Sequence, residues 1–390
     1  MKIRIDNIAH YKKVIAAICS IPSVRKQLNS VEQCIEFKTN KEESVLEIST
    51  VDLNSHAIKL KVPAEIVEEG RQIVLSSIVK SMSSKLNPKY GLEISNKDNL
   101  LNYEMRPFGS IVDTQYFSQD TTLAEDLFEA STYVDICPDL GWFLQLLPIA
   151  CTNTYNDREI YITTDPTNIK LYVQFTETSY IRYKSTTSSM ATSDFKASIR
   201  TPLLRIVNLL GEEVKLMYSS TLKAVKFVSP IGEMAFVVDP SVNKVSLVVD
   251  KIIKDDNDAE IEIGHEDISE SIKWQSYNTT DTTIVNLDFD SEDEQFSIKI
   301  PSSGNKNEPS ELDPVAWSGL FKKTSISVGH ITKALKAMGT PKNKILPVET
   351  VKLQIKNIEV KNGPSVKAIH LSPDKEDDVT SDVVMYESAN

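Results

Sequence analysis

Glycine is scarce in this chain, at 12 of 390 residues. Phosphate cradles need glycine where the backbone must come close to a ligand. No GxxxxGK[ST], GxGxxG or GxSxG stretch occurs, which excludes P-loop, dinucleotide-binding and α/β-hydrolase sites. Histidine is rare, at five residues, and His265-Glu266 has no second histidine four positions on. The four cysteines (Cys19, Cys34, Cys137, Cys151) form no CxxC pair. They are expected to be reduced, mostly buried thiols in a cytosolic protein. No apolar run reaches the roughly 18 residues of a membrane span. The opening MKIRIDNIAHYKK lacks the apolar core of a secretory signal. DFDSEDE (288–294) lacks the glycine of a calcium loop and has Lys299 where the bidentate glutamate belongs, so it reads as a solvated acidic turn. No metal, cofactor or catalytic residue is expected, and the chain is not expected to be an enzyme. Positive charge is the minority sign: 43 basic against 55 acidic residues, net −12. That disfavours coating nucleic acid by bulk charge. It leaves room for basic residues gathered on one surface.

What the chain does have is a threefold pattern. A β-rich stretch leads into a short amphipathic helix, and strands resume. The copies are RQIVLSSIVKSMSSKLNPKYGLEIS (71–95), FKASIRTPLLRIVNLLGEEVKLMYSS (195–220) and KTSISVGHITKALKAMGTPKNKILPVETVKLQI (323–355). A domain-sized repeat points to an array of similar domains more than to one active-site cleft. The expected fold is α+β: three repeated domains, at 1–127, 128–254 and 255–390, each with two helices on one face of antiparallel sheets.

The periodicity places the elements. Strand Lys2–Ile5 precedes a helix capped by Asp6 or Asn7, with Ile8, Tyr11, Val14 or Ile15, and Ile18 on its apolar stripe and Pro22 ending it. Strands follow at 44–50 and 56–62, then a helix over about 76–86 that Asn87-Pro88 stops. In the second repeat, Asp139 caps a helix bearing Leu140, Phe143, Leu144 and Leu147. Strands come at 158–164 and 169–175, a polar loop at 184–194, and a helix set between Thr201-Pro202 and Gly211. The third repeat follows the acidic run 255–260. It has helices near 266–274 and at 328–338, a long loop at 300–314 and a last strand at 382–388. Lys12, Lys13, Lys80, Lys85, Arg205, Lys333 and Lys336 fall off the apolar stripes of four helices. Any one of these is an ordinary solvated residue; their recurrence suits sequence-independent contact with phosphates.

On these residues the chain resembles the bacterial-type sliding clamp, the β subunit of the replicative DNA polymerase. The local matches are MKIRI followed by a helix, the Arg158 segment, Trp317-Ser318-Gly319 before the last helix, and Val383–Tyr386, similar to a Val-Val-Met-Pro-Met ending. The resemblance implies half of a head-to-tail homodimeric ring with duplex DNA through its hole. Replicative polymerase and clamp loader would dock short peptides in an apolar cleft between domains 2 and 3. Carried over by position, that cleft comprises Tyr161, Thr176, Thr178, Tyr180, Ile181, Pro240, Lys244, Val245, Val383, Val384, Met385 and Tyr386, flanked by Ser327 and His330. Val383 and Val384 also read as plain strand core. Arg25, Lys26 and Arg200 join the helix lysines as DNA contacts. Where the family has Asp-Gly-His-Arg, this chain has Glu177-Thr178-Ser179-Tyr180, and its ending is Tyr386-Glu387-Ser388. Both changes fall on the cleft and hint at a divergent, phage-encoded clamp with its own partners. The expected location is the cytoplasm of a bacterial or phage-infected cell, at the nucleoid during replication. The competing reading is a monomeric viral processivity factor that holds DNA by charge alone. A carboxylate-based hydrolase and a virion component rank lower.

Overall fold

Four antiparallel sheets and five α-helices make up the described part of the chain in a computed structural model. It describes all residues except 20–33, 53–55, 98–99, 106–108, 114–127, 129–131, 138–139, 142–158, 166, 177–178, 186–194, 201–206, 212, 239–243, 301–307, 322, 359–364, 376–378 and 388–390. By internal contacts the chain divides into two units, Met1–Gln145 with Pro202–Asp239, and Leu146–Thr201 with Pro240–Asn390.

The first unit holds a five-stranded sheet, in order Glu65–Glu68, Lys2–Ile5, Leu92–Lys97, Leu100–Met105 and Gly109–Asp113. Its eight-stranded sheet runs Val134–Cys137, Lys215–Ser219, Ala224–Ser229, Gly232–Val237, His56–Pro63, Val45–Asp52, Cys34–Asn40 and Arg71–Leu75. Helices α1 (Ile8–Ile18) and α2 (Ser76–Ser84) pack on each other. The Asn7 side chain caps α1 by accepting from the His10 amide at 3.0 Å. Ile8, Tyr11, Val14, Ile15 and Ile18 are buried, as their spacing predicts. Helix α2 stops at Ser84, before Asn87-Pro88, because the Lys85 and Leu86 amides turn back to the Met82 and Ser83 carbonyls.

The second unit holds a nine-stranded sheet, in order Phe195–Arg200, Glu159–Asp165, Asn168–Thr176, Ser179–Ser185, Val379–Tyr386, Val366–Pro373, Thr350–Ile358, Ala259–Gly264 and Ala316–Gly319. Its four-stranded sheet runs Ser310–Leu312, Gln295–Lys299, Ile284–Asp290 and Thr324–Ser327. Three helices belong here: α3 (Lys244–Lys254), α4 (His265–Gln275) and α5 (Val328–Met338), with α4 packed on α5. The large sheets cross the positions 127/128 and 254/255, because strand 232–237 pairs with 56–63 and strand 179–185 pairs with 379–386.

Two expectations change. The stretch 300–314 is not all loop, since Ser310–Leu312 pairs with Gln295–Lys299. The segment before the acidic run 255–260 is a helix, α3, that was not foreseen. Pro22 and the helix from Asp139 to Leu147 lie outside the described residues, apart from Leu140 and Gly141. Of the helix after Thr201, what is described is Val207 and a 3-10 turn, Asn208–Leu210, ended by Gly211 at φ +85°.

Helix α5 matches its predicted span, and Gly339 ends it at φ +111°. A β-carbon there would sit 2.3 Å from the Leu346 carbonyl oxygen. Gly339→Ala is therefore expected to destabilise by more than about 1 kcal/mol in urea unfolding. Gly91→Ala, whose β-carbon meets open space, is expected to stay within about 0.5 kcal/mol.

Candidate functional site

The strand pairing sorts the cleft residues onto two faces of the nine-stranded sheet. Tyr180 lies opposite Val384, Ile181 opposite Val383, and Arg182 opposite Asp382. Successive side chains alternate, so Tyr180, Arg182, Asp382, Val384 and Tyr386 share one face. Helix α3 lies on that face: Asp250 accepts from the Tyr172 hydroxyl at 2.8 Å and from Arg182 at 3.0 Å. Val249 and Ile252 of α3 are buried with Tyr161, Tyr172, Ala368 and Val384. Tyr180, Val245, Ile253, Ile358 and Tyr386 form the half-buried rim of this cluster. The Tyr180 and Tyr386 rings meet edge to face, 6.3 Å apart. Burial, and then Tyr180, push the Tyr386 phenol up, so it stays a neutral donor.

Ile181, Val383 and Met385 sit on the opposite face and are fully buried. Helix α5 covers that face, where Tyr183 donates to the Ala337 carbonyl (3.1 Å) and Ser381 to the Met338 carbonyl (2.8 Å). Ser327 caps α5 by accepting from the His330 amide at 3.2 Å. Burial, then Lys333, hold the His330 imidazole below its usual range. Thr176 ends a strand and Lys244 opens α3; Thr178 and Pro240 lie outside the described residues.

Beneath α3 runs a charge network that the sequence reading missed. Arg182 donates to Asp382 from Nε (3.1 Å) and Nη2 (2.7 Å). The His370 ring bridges Asp382 (Nε2, 3.0 Å) and the Gln354 Oε1 (Nδ1, 2.7 Å), and Gln354 donates on to Glu260 at 2.7 Å. Burial alone pushes the Asp382 carboxyl up. The His370 and Arg182 contacts outweigh it and hold the group below the usual carboxylate range. Lys356 is buried, and its ammonium donates to the carbonyls of Ile252, Ile253 and Asp255 at 2.6, 3.0 and 2.7 Å. A cation there satisfies the free carbonyls at the C-terminal end of α3. Burial pulls the Lys356 ammonium down, with Asp255 opposing. The signal that was available is His370 within the apolar run 368–371; Lys356 sits in an alternating strand and carried none.

The predicted basic residues divide. Lys13, Lys80, Lys85 and Lys336 are exposed. Lys12 is engaged within the fold, donating to the Ser84 and Leu86 carbonyls (3.4 and 2.9 Å) at the end of α2. Lys333 pairs with Asp281 at 3.5 Å. Arg200 ends a strand. Arg25, Lys26 and Arg205 lie outside the described residues. A further surface, absent from the sequence reading, lies at the end of α4. Trp274 and Tyr277 are 81% and 86% exposed. Gln275 between them donates to the Glu308 carbonyl (2.9 Å) and the Ser310 hydroxyl (3.0 Å), beside the outer strand of the four-stranded sheet.

Among the described residues no cluster of potential metal ligands occurs, and no helix is long and apolar enough to cross a membrane. In the 288–294 turn, the Asp290 carboxylate accepts from the Glu292 and Asp293 amides. Cys19, Cys34 and Cys137 are buried, and burial pushes the Cys19 thiol up to about 11.

No protein-family description and no curated protein matches this chain. Solved structures do. The β subunit of the DNA polymerase of Streptococcus pyogenes superposes with a TM-score of 0.71 at 14% identity, covering 100% of both chains. The DNA polymerase sliding clamp of Bacillus subtilis gives 0.72 at 12% identity, over 100% of this chain and 99% of that one. The fold is that of the bacterial β sliding clamp. The Helicobacter pylori β clamp, solved with 5-chloroisatin, agrees, at 0.70 and 13% identity over all of both chains. At such identity the clamp likeness fixes the path of the backbone and leaves the site side chains to be argued on their own.

Proposed function

We propose that this chain is a sliding clamp: a non-catalytic processivity factor that encircles duplex DNA and tethers a replicative polymerase and other replication proteins. The observation that carries this reading is the end-to-end likeness to the clamp fold, with nothing left over in either chain. The exposed lysines of α1, α2 and α5 suit contact with phosphates without base readout. Three domains, at 1–127, 128–254 and 255–390, follow from the threefold repeat, and two chains would supply six. Outer strands of two sheets, Gly109–Asp113 and Ser310–Leu312, have no second partner strand among the described residues. Such edges pair readily with another chain. In this reading they join head to tail between copies, with Trp274 and Tyr277 as apolar anchors of the joint. Partner peptides dock on the rim of Tyr180, Val245 and Tyr386, against α3. Loading by a clamp loader, residence in the cytoplasm at replicating DNA and a phage origin belong to the same proposal.

The alternative is a monomer that holds DNA by charge. Light scattering at micromolar concentration separates the two. A ring of two chains gives about 87 kDa, twice the 43.7 kDa of one chain. A mass of 43.7 kDa, with DNA binding that falls steeply with salt, would favour the alternative.

A further inference from the structure

One sheet edge in each unit is built alike and finished differently. In the first unit the five-stranded sheet ends on Glu65–Glu68, which pairs with Lys2–Ile5. In the second the nine-stranded sheet ends on Ala316–Gly319, which pairs with Ala259–Gly264. Each is a four-residue strand, and each leads into the strand before a helix: Arg71–Leu75 before α2, Thr324–Ser327 before α5. The first edge is guarded by the exposed carboxylates of Glu65 and Glu68. Such charges keep an open edge from pairing with foreign strands. The second edge carries no charge. All four of its residues are exposed, and Val315, Trp317 and Leu320 are 66%, 40% and 77% exposed. No strand among the described residues pairs with its outer side. An open, apolar edge is a template for one more strand.

The two faces of this edge favour different side chains. Trp317 lies opposite Ile261, and its ring meets that of Phe289 at 5.1 Å, so its face is apolar. Ala316 lies opposite Glu262 and Ser318 opposite Glu260, both on the other face by alternation. Glu260 accepts from Asn257 and Gln354, and neither glutamate is in an ion pair among the described residues. Lys352 lies opposite Glu262 on its inner side, one strand farther from the edge. Along the chain, exposed Asp313 and Lys323 flank the edge with opposite signs. The charges nearest the edge on the Ala316 face are therefore two carboxylates. An added strand stands two strand spacings from them, about 10 Å. Only the small side chains of Ala316 and Ser318 lie between, so lysine or arginine side chains can reach across.

We infer that Ala316–Gly319 is a docking edge for an extended, basic segment of a partner protein. The segment adds as one more strand, with basic residues over Ala316 and Ser318 and apolar residues on the Trp317 face. This edge is separate from the rim beside α3, and the inference needs neither that rim nor the ring.

Fluorescence anisotropy with the full chain tests this, using two labelled peptides, Lys-Val-Lys-Val-Lys-Val-Lys and Glu-Val-Glu-Val-Glu-Val-Glu. The lysine peptide is expected to bind about tenfold tighter at low salt, the effect of two screened ion pairs. Glu260→Gln with Glu262→Gln should remove that difference. Ala316→Lys with Ser318→Lys gives this edge the kind of guard the first one has and should abolish binding of the lysine peptide. Both positions are exposed, so the fold should be retained, which circular dichroism checks. Amide hydrogen exchange at 316–319 should slow when the lysine peptide binds. Equal binding of the two peptides, or binding of neither, overturns the inference. So does binding without slowed exchange at 316–319, which would place the peptide elsewhere. A solution mass that grows with concentration, and no longer grows in the Ala316→Lys, Ser318→Lys variant, makes the occupant a second copy of this chain and also overturns it.

Discussion

Arg182→Ala is expected to cost about 3–5 kcal/mol of folding stability, the penalty for stranding one partner of a buried ion pair. Asp382 is 7% exposed and takes two hydrogen bonds from the guanidinium. Without Arg182 its carboxylate keeps His370 alone, and Asp250 keeps only Tyr172 as its link from α3 to the sheet. The effect has a pH signature. The Asp382 carboxyl is held below its usual range in the folded chain. Its stabilising contribution is therefore full above the unfolded value, about 3.9, and is lost as pH falls through the lower folded value. The gap between the natural chain and the variant should be widest near neutrality and should narrow below about pH 4. Urea unfolding at two pH values measures both. A loss under about 1 kcal/mol would mean that the network is solvated and that α3 is held by its apolar face alone. Replacing the pair together, as Arg182→Met with Asp382→Leu, should recover much of the loss, since a buried pair is often matched by apolar packing.

Trp274→Ala with Tyr277→Ala should halve the solution mass at micromolar concentration, from about 87 kDa to 43.7 kDa. Exposed aromatic residues beside an open sheet edge are suited to act as interface anchors. Truncating one such anchor costs about 2 kcal/mol or more. Two at a joint weaken it by roughly a thousandfold, and a two-chain ring has two joints. Each monomer should stay folded, because exposed substitutions shift stability by no more than about 0.5 kcal/mol. An unchanged mass with an unchanged circular dichroism spectrum would remove these residues from the interface.

Much of the architecture was legible. Helices α1 and α5 carry clean apolar stripes and side-chain caps, and α5 a glycine stop as well, so local and tertiary signals agree. The resemblance at Val383–Tyr386 and Trp317–Gly319 pointed to the same clamp fold as the solved structures. Helix α3 was not legible. Val245, Val249, Ile252 and Ile253 favour strand by propensity, and what makes them helical is packing on Tyr161, Tyr172 and Val384. The cleft was legible as a stretch of chain and not as a surface. Adjacent strand residues point to opposite faces, so naming Val383, Val384 and Met385 together necessarily mixed the α5 face with the α3 face. The basic residues had the same difficulty. The helical period places Lys12 and Lys333 off the apolar stripe, but only tertiary structure shows one closing α2 and the other paired with Asp281.

The most direct test of the ring is whether DNA ends matter. Purified protein is mixed with a linear duplex biotinylated at both ends, streptavidin is added or withheld, and the mixture is gel-filtered at salt high enough to screen phosphate contacts. A closed ring can leave only over an end, so protein should co-elute with DNA when both ends are blocked and separate when either is free. Retention that is the same with blocked and free ends would contradict encirclement and return the protein to binding by charge.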